Sequence, residues 1–220
     1  MIKACIFDLD GVIVDTAKYH FIAWKRLANE LGIELTKEEN ENLKGVSRME
    51  TLEIILTKGN QQNSFTQEEK VALSNKKNDW YREFITKMDE SEVLPGVIDF
   101  LDTLQAKGYK IALGSASRNA PTILEVTKMT HYFEVIIDGN KTTRSKPDPQ
   151  VFQMGATGLG VEPSEAVVFE DSYKGVDAAL AGGFYAVGIG NPEKLNKANF
   201  VIDGLHQMNL ERLTGLVAVA

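Results

Sequence analysis

The spacing of apolar residues changes near residue 95, and the two parts of the chain predict different structures. After this point, short apolar runs alternate with segments in which apolar residues recur at helical spacing. The short runs predict β-strands and the longer segments predict α-helices. Strands are predicted at residues 110–114, 135–138, 166–169, 185–189 and 200–202, and helices at 97–107, 121–128, 149–158 and 173–181. This alternation is typical of a parallel sheet with helices on both faces.

Before residue 95, one strand is predicted at residues 3–7, and the chain is then helical as far as residue 88. The first helix is predicted at 16–31, with Ile22, Leu27 and Leu31 buried and Gly32 ending it. Three pairs with the spacing of a capping box mark further helix starts. These pairs are Thr36 with Glu39, Ser47 with Glu50, and Thr66 with Glu69.

The predicted fold is therefore an α/β class fold, with a Rossmann-like parallel sheet core and an inserted four-helix domain. The insertion lies between the first and second strands, so we place the core at residues 1–14 and 93–220 and the insertion at 15–92. Two chain crossings join the parts, which suits a cap domain that closes over the core like a lid.

Composition excludes several classes of function. The chain has 220 residues, 43% of them hydrophobic and 25% charged, which is ordinary for a globular protein. Its net charge of −7 argues against binding to nucleic acid or to acidic membranes. The apolar runs are far shorter than the ~20 residues that span a bilayer.

The single cysteine, Cys5, cannot form a disulfide within the chain. Asp8 and Asp10 interrupt the N-terminal apolar stretch, so no signal peptide is predicted. We expect a cytoplasmic monomer with no membrane or nucleic-acid partner.

Asp8 and Asp10 carry the strongest chemical signal. They follow the first strand one residue apart, so both side chains should leave the same side of the sheet before Gly11 breaks it. Two carboxylates this close repel, and a cation or a proton between them relieves the repulsion. An ordinary strand-to-turn exit has the same residue types, so this pattern alone leaves both interpretations open.

Other predicted strands also end in polar residues. Ser115 follows the strand at 110–114, Lys146 follows the one at 135–138, and Glu170 and Asp171 follow the one at 166–169. In open α/β sheets the carboxyl ends of the strands meet at one rim, where binding sites form. Carboxylates, a hydroxyl and an ammonium group are what magnesium-assisted phosphoryl transfer requires.

These motifs resemble the four motifs of the haloacid dehalogenase superfamily, and residues 15–92 resemble its helical cap of the first type. The resemblance implies that Asp8 is the nucleophile, which forms an aspartyl phosphate, and that Asp10 is the general acid/base. Ser115 and Lys146 would hold the phosphoryl group. Mg²⁺ would be bound by Asp8, the Asp10 carbonyl, Glu170 and Asp171. A carboxylate at position 10 suits an oxygen leaving group, as in phosphatases and phosphomutases.

Three stretches of the predicted cap carry a closer likeness: residues 15–21 with 23–25, residues 43–48 and residues 76–79. They resemble the cap of β-phosphoglucomutases, and this likeness implies a substrate. Thr16 and His20 would lie at the hinge near Asp10, while Arg48 and Lys77 would serve the phosphate distal to the metal. The remaining substrate contacts implied are Gly45, Val46, Ser47, Ala116, Ser117, Arg118 and Asn119. Arg118 stands where the family has lysine, which keeps the positive charge and changes its geometry.

The activity implied is the interconversion of β-D-glucose 1-phosphate and D-glucose 6-phosphate through β-glucose 1,6-bisphosphate. The partner would be a small-molecule sugar phosphate, and the cofactors Mg²⁺ and that bisphosphate. Two alternatives remain open. One is a sugar-phosphate phosphatase with the same nucleophile, and the other is a non-catalytic protein that binds Mg²⁺ or a sugar phosphate.

Overall fold

The structure is a computed structural model that describes residues 1–41, 43 and 46–216. Its centre is a six-stranded parallel sheet with the order β3-β2-β1-β4-β5-β6. The strands are β1 (Ala4–Phe7), β2 (Lys110–Gly114), β3 (Val135–Ile137), β4 (Ala166–Glu170), β5 (Tyr185–Ile189) and β6 (Phe200–Ile202). The predicted fold class is confirmed.

The helices agree with the predicted alternation. Between β1 and β2 lie α1 (Ala17–Glu30), α2 (Lys37–Glu41), α3 (Arg48–Lys58), α4 (Gln67–Ile85) and α5 (Val97–Ala106). The later helices are α6 (Ala120–Val126), α7 (Gln150–Leu159), α8 (Tyr173–Ala181) and α9 (Leu210–Gly215). Among the residues described, no helix combines the length and apolar character needed to cross a membrane.

Both faces of the sheet are buried, as a parallel sheet requires. Along β1, Cys5 and Phe7 belong to one hydrophobic cluster and Ala4 and Ile6 to the other. On the first face, the Phe7 ring stacks on that of Phe169 at 4.6 Å between centroids. This stack ties β1 to β4, the two strands that precede Asp8 and Asp171.

Two of the predicted capping boxes form in full, at Thr36 and at Thr66. Ser47 caps α3 by accepting a hydrogen bond from the Glu50 N–H. The carboxylate of Glu50 instead pairs with Lys174 of α8, at 3.2 Å. The Ser47 pair therefore marks a helix start, and its acidic partner links α3 to α8.

The predicted burial of Ile22 is wrong, since 46% of this residue is exposed. Helix α1 buries Trp24 and Leu27, and Ile22 lies about 200° around the helix from Trp24. Leu27 is buried as predicted, whereas Leu31 is only partly buried.

We expect Phe7→Ala to lower the free energy of unfolding by about 3–5 kcal/mol, because it removes a fully buried ring from the stack with Phe169. Urea denaturation measures the change. The control is Ile22→Ala on the exposed face of α1, for which we expect a change within about 0.5 kcal/mol. Equal effects of the two substitutions would contradict this account of the core.

Candidate active site

The polar residues predicted at the strand ends meet at one edge of the sheet. Strand β1 lies between β2 and β4, so Asp8, Ser115 and Asp171 follow three adjacent strands that end at the same level. The Asp8 N–H donates to the carbonyl of Phe169 at 3.0 Å, which continues the β1–β4 pairing to the site itself.

Lys146 lies at the centre of this edge. Its ammonium is 2.6 Å from Asp8 Oδ1 and 3.0 Å from Glu170 Oε2, and all three side chains are buried. Burial alone would lower the pKa of Lys146, but the charges of Asp8 and Glu170 outweigh it and raise the pKa. The lysine is therefore charged, and it offsets the repulsion between the two carboxylates.

Asp8, Glu170 and Asp171 form a cluster suited to a metal ion. Each offers a carboxylate oxygen, and these oxygens lie within 4.8 Å of one another. Burial, followed by the negative charges of Asp8 and Asp171, raises the pKa of Glu170 although Lys146 opposes the shift. A divalent cation would relieve this excess of negative charge, and an all-oxygen set is what Mg²⁺ prefers. The side chains therefore fit a magnesium ion.

Two glycines allow the carboxylates to approach the backbone so closely. Gly11 has φ +81, and a Cβ there would lie 2.3 Å from Asp171 Oδ2. A Cβ at Gly175 would lie 2.0 Å from Glu170 Oε1. Neither position accepts a side chain without moving the acidic cluster.

Asp10 is held from the beginning of α1, where the Thr16 hydroxyl donates to Asp10 Oδ1 in a short hydrogen bond. Burial, and then the charge of Asp8, raises the pKa of Asp10 to about 7, while Lys146 and Lys77 act in the opposite direction. A carboxyl with a pKa near neutrality can both give and take a proton at physiological pH.

His20 and Lys77 form a pair between α1 and α4, with 2.9 Å between His20 Nδ1 and Lys77 Nζ. Burial, followed by the charges of Lys77 and Arg48, lowers the pKa of His20 well below its usual value. The neutral ring can then accept a hydrogen bond from the amine. Burial, and then the charge of Arg48, lowers the pKa of Lys77 to about 7, against the attraction of Asp10.

A second positive region involves Arg48 and Arg118. Arg48 begins α3, directly after Ser47, and Arg118 lies in the loop after β2. Burial and then the charge of Arg118 lower the pKa of Arg48, while Asp79 opposes the shift. Two cations that repel each other in this way favour an anion between them.

The loop after β2 is ordered by its own hydroxyls. Ser115 is buried and accepts a hydrogen bond from the Ser117 N–H at 3.0 Å, and Ser117 accepts one from the Asn119 N–H at 3.2 Å. The Asn119 side chain donates to Asn78 Oδ1 of α4 at 3.0 Å. Ala116 lies within this loop. Val46 is partly buried, and Gly45 lies outside the described residues.

The residue that sequence reasoning missed is Tyr81. It lies one turn after Lys77 on α4 and is fully buried, with its ring stacked on His20 at 4.0 Å between centroids. The sequence did contain a signal for this residue: Tyr81 follows Lys77 by four positions, which places the two side chains on one face of a helix.

The sequence of this chain is similar to a known protein family and to several of its members. The family model described as haloacid dehalogenase-like hydrolase matches residues 5–189. The β-phosphoglucomutase of Bacillus subtilis is 40% identical over 211 residues, which cover 96% of this chain and 93% of that protein. The phosphorylated carbohydrates phosphatase of Thermotoga maritima is 33% identical over 183 residues, 82% of each chain.

Among solved structures, the β-phosphoglucomutase of Clostridium difficile has the same fold. Its TM-score is 0.96 with 42% sequence identity, and the match covers 100% of this chain and 98% of that one. The agreement over the whole length includes the helices between β1 and β2 as well as the sheet.

We expect Lys77→Met to change how stability depends on pH. In the wild type, the folded state keeps this amine neutral down to about pH 7, whereas the unfolded state protonates it below about pH 10.4. This group therefore makes the wild type lose stability as the pH falls from 10 to 7. The variant should gain stability relative to the wild type over that range, as measured by urea unfolding at several pH values.

The control is the neighbouring residue. Lys76 is exposed and its amine lies 2.6 Å from Glu30, so Lys76→Met should differ little from wild type across the same range. A difference between Lys77→Met and wild type that does not change with pH would contradict the prediction.

Proposed function

Because the chain belongs to the haloacid dehalogenase-like hydrolase family, we propose that it is a magnesium-dependent phosphomutase acting on a sugar phosphate. The reaction is the interconversion of β-D-glucose 1-phosphate and D-glucose 6-phosphate. The Bacillus subtilis and Clostridium difficile relatives, each at least 40% identical over nearly the whole chain, support it.

The two parts of the chain have different proposed roles in binding the substrate. Residues 1–14 and 93–220 form the core domain, which holds the phosphoryl group that is transferred. Residues 15–92 form the cap domain, which holds the rest of the substrate. The substrate lies between them, and closure of the cap excludes water from the aspartyl phosphate.

Asp8 and Asp10 carry the covalent chemistry. Phosphorylated Asp8 gives its phosphoryl group to the 6-hydroxyl of β-glucose 1-phosphate, and Asp10 takes the proton of that hydroxyl. The β-glucose 1,6-bisphosphate then reorients within the site. The 1-phosphoryl group passes to Asp8, and Asp10 returns the proton to the departing sugar oxygen, which yields glucose 6-phosphate. The raised pKa of Asp10 suits both proton transfers.

The groups around Asp8 stabilise the phosphoryl group in transfer. The Lys146 ammonium, 2.6 Å from Asp8 Oδ1, and the Ser115 hydroxyl would bind its oxygens. Asp8, Glu170 and Asp171, together with the Asp10 carbonyl, would hold Mg²⁺. When bound, the ion supplies positive charge to the transferring oxygens.

The observation that carries the choice of a mutase is the Arg48–Arg118 pair. A mutase handles a bisphosphate, so it needs a cationic site for the phosphate that is not transferred. Arg48 comes from the cap and Arg118 from the core, and their repulsion is relieved when a phosphate lies between them. Ser47 directly precedes Arg48, and Ala116, Ser117 and Asn119 share the loop of Arg118. The charge of Arg48 also lowers the pKa of both His20 and Lys77.

A sugar-phosphate phosphatase is the second candidate, and the Thermotoga maritima relative favours it. The same Asp8 and Asp10 would serve, with water in place of the sugar hydroxyl as acceptor of the phosphoryl group. The two activities therefore differ in how completely the closed cap excludes water, and the product distinguishes them.

We expect the purified protein to form glucose 6-phosphate from β-glucose 1-phosphate and not from the α-anomer. An assay coupled to glucose-6-phosphate dehydrogenase measures this product while free phosphate is measured in parallel. β-Glucose 1,6-bisphosphate should raise the rate because it phosphorylates Asp8, and chelation of Mg²⁺ should abolish it until the ion is restored. Stoichiometric release of phosphate without glucose 6-phosphate would reject the mutase in favour of the phosphatase.

We expect Arg48→Ala to raise KM for β-glucose 1-phosphate by about tenfold to a hundredfold, since a hydrogen bond between charged groups contributes about 1.5–3 kcal/mol. The matched control is Arg26→Ala, which removes an exposed cap arginine that lies over the Trp80 ring. KM should be unchanged in the control. An unchanged KM in Arg48→Ala would place the second phosphate elsewhere.

A further inference from the structure

The hydroxyl group of Tyr81 is buried and unpaired. Within residues 1–41, 43 and 46–216, its hydroxyl is the buried side-chain polar atom that has no hydrogen-bond partner. The side chain is fully buried, and burial of a hydroxyl without a partner destabilises a fold. Such an atom requires an explanation, and its place beside the candidate active site suggests a partner that it acquires during turnover.

The ring of Tyr81 is held firmly. It stacks on the His20 ring at 4.0 Å, and the Lys77 amine lies 4.7 Å from its centroid. These contacts leave the hydroxyl little freedom to turn towards other groups.

The surroundings of the hydroxyl identify its candidate partners. Burial and then the negative charge of Asp10 raise the pKa of Tyr81 well above its usual value, while the hydroxyls of Thr16 and Ser117 oppose the shift. The phenol is therefore neutral and keeps a hydrogen to donate. The Thr16 and Ser117 hydroxyls lie close enough to act on the phenol by hydrogen bonding, yet neither they nor Asp10 meets its hydroxyl in a fully formed hydrogen bond in this structure.

Thr16 is the neighbour best suited to accept. Its hydroxyl gives its only hydrogen to Asp10 Oδ1, so the Thr16 oxygen has lone pairs available for a further bond. A hydroxyl that accepts a hydrogen bond becomes a stronger donor in turn. A hydrogen bond from Tyr81 to Thr16 would therefore strengthen the hydrogen bond from Thr16 to Asp10.

Tyr81 and Thr16 belong to neighbouring helices of the same part of the chain. Thr16 directly precedes α1, and the ring of Tyr81 on α4 stacks on His20 of α1. Only a small approach of α4 to the start of α1 is then needed to form a bond between the two hydroxyls when substrate occupies the site.

We propose that Tyr81 is a positioning residue, whose hydroxyl donates to Thr16 when substrate occupies the site and so fixes Asp10 for proton transfer. This rests on the proposed role of Asp10 as general acid/base. Because Tyr81 acts on Asp10 and not on the substrate, its hydroxyl should affect kcat and not KM. Because the hydroxyl lacks a partner before substrate binds, its removal should not destabilise the free protein.

The test is Tyr81→Phe, which keeps the ring and its stacking and removes only the hydroxyl. We expect kcat to fall at least tenfold with KM within twofold of wild type, and Tm to equal or exceed the wild-type value. An unchanged kcat, a KM that rises with the loss of kcat, or a lowered Tm would each overturn the proposal.

Tyr132→Phe is the matched control. The Tyr132 hydroxyl is also in a largely buried residue, but it donates to Asp102 at 2.7 Å, away from the site. This control should show the opposite result, with a lowered Tm and an unchanged kcat. The pair of variants separates a positioning role from a merely structural one.

A second variant tests the route through Thr16. If Tyr81 acts through that hydroxyl, adding Tyr81→Phe to Thr16→Val should lower kcat by less than twofold beyond Thr16→Val alone. A full tenfold further loss would overturn the proposal.

Should the wild type release only phosphate, the same kcat comparison is made on that hydrolysis, which also needs Asp10. The mutase proposal and the Tyr81 proposal can therefore fail separately.

Discussion

The buried ion pairs of Lys146 are the interaction on which the site depends. Strands β1 and β4 are neighbours, so the parallel sheet itself forces Asp8 and Glu170 together at its carboxyl edge. Without a cation between them, two buried carboxylates would repel and take up protons. Lys146 contacts both carboxylates. It therefore keeps them ionised and close together, so that they can bind a divalent ion beside the phosphoryl group.

The helices between β1 and β2 bring basic side chains to this part of the protein, and a phosphate bound beside them would favour their charged forms. Arg48 and Lys77 come from α3 and α4, and both have pKa values lowered by burial. Lys174 of α8 pairs with Glu50 of α3, and this contact joins the two helices. A substrate with phosphates at both ends suits this arrangement, since one end meets the metal cluster and the other meets the arginines.

Sequence alone predicted the parallel sheet, the helices that follow β1, and the meeting of Asp8 with Glu170 and Asp171, because the carboxyl ends of parallel strands lie at one rim. It failed at Ile22, since helical spacing gives a buried face only when the neighbouring helix is known. It also missed Tyr81, whose burial looks like that of any aromatic core residue. Whether its hydroxyl has a partner depends on distances of tenths of an ångström, and no pattern of residue types contains that information.

The groups whose burial is costly are concentrated where α1 and α4 meet the core. Asp10, Lys77 and Tyr81 each lie where burial disfavours their charged or unpaired polar form. The aromatic stack and the two hydrophobic clusters of the sheet stabilise the fold against these costs. A bound sugar phosphate would supply negative charge beside Lys77 and bring the Tyr81 hydroxyl to Thr16, so its binding free energy would also stabilise the closed cap.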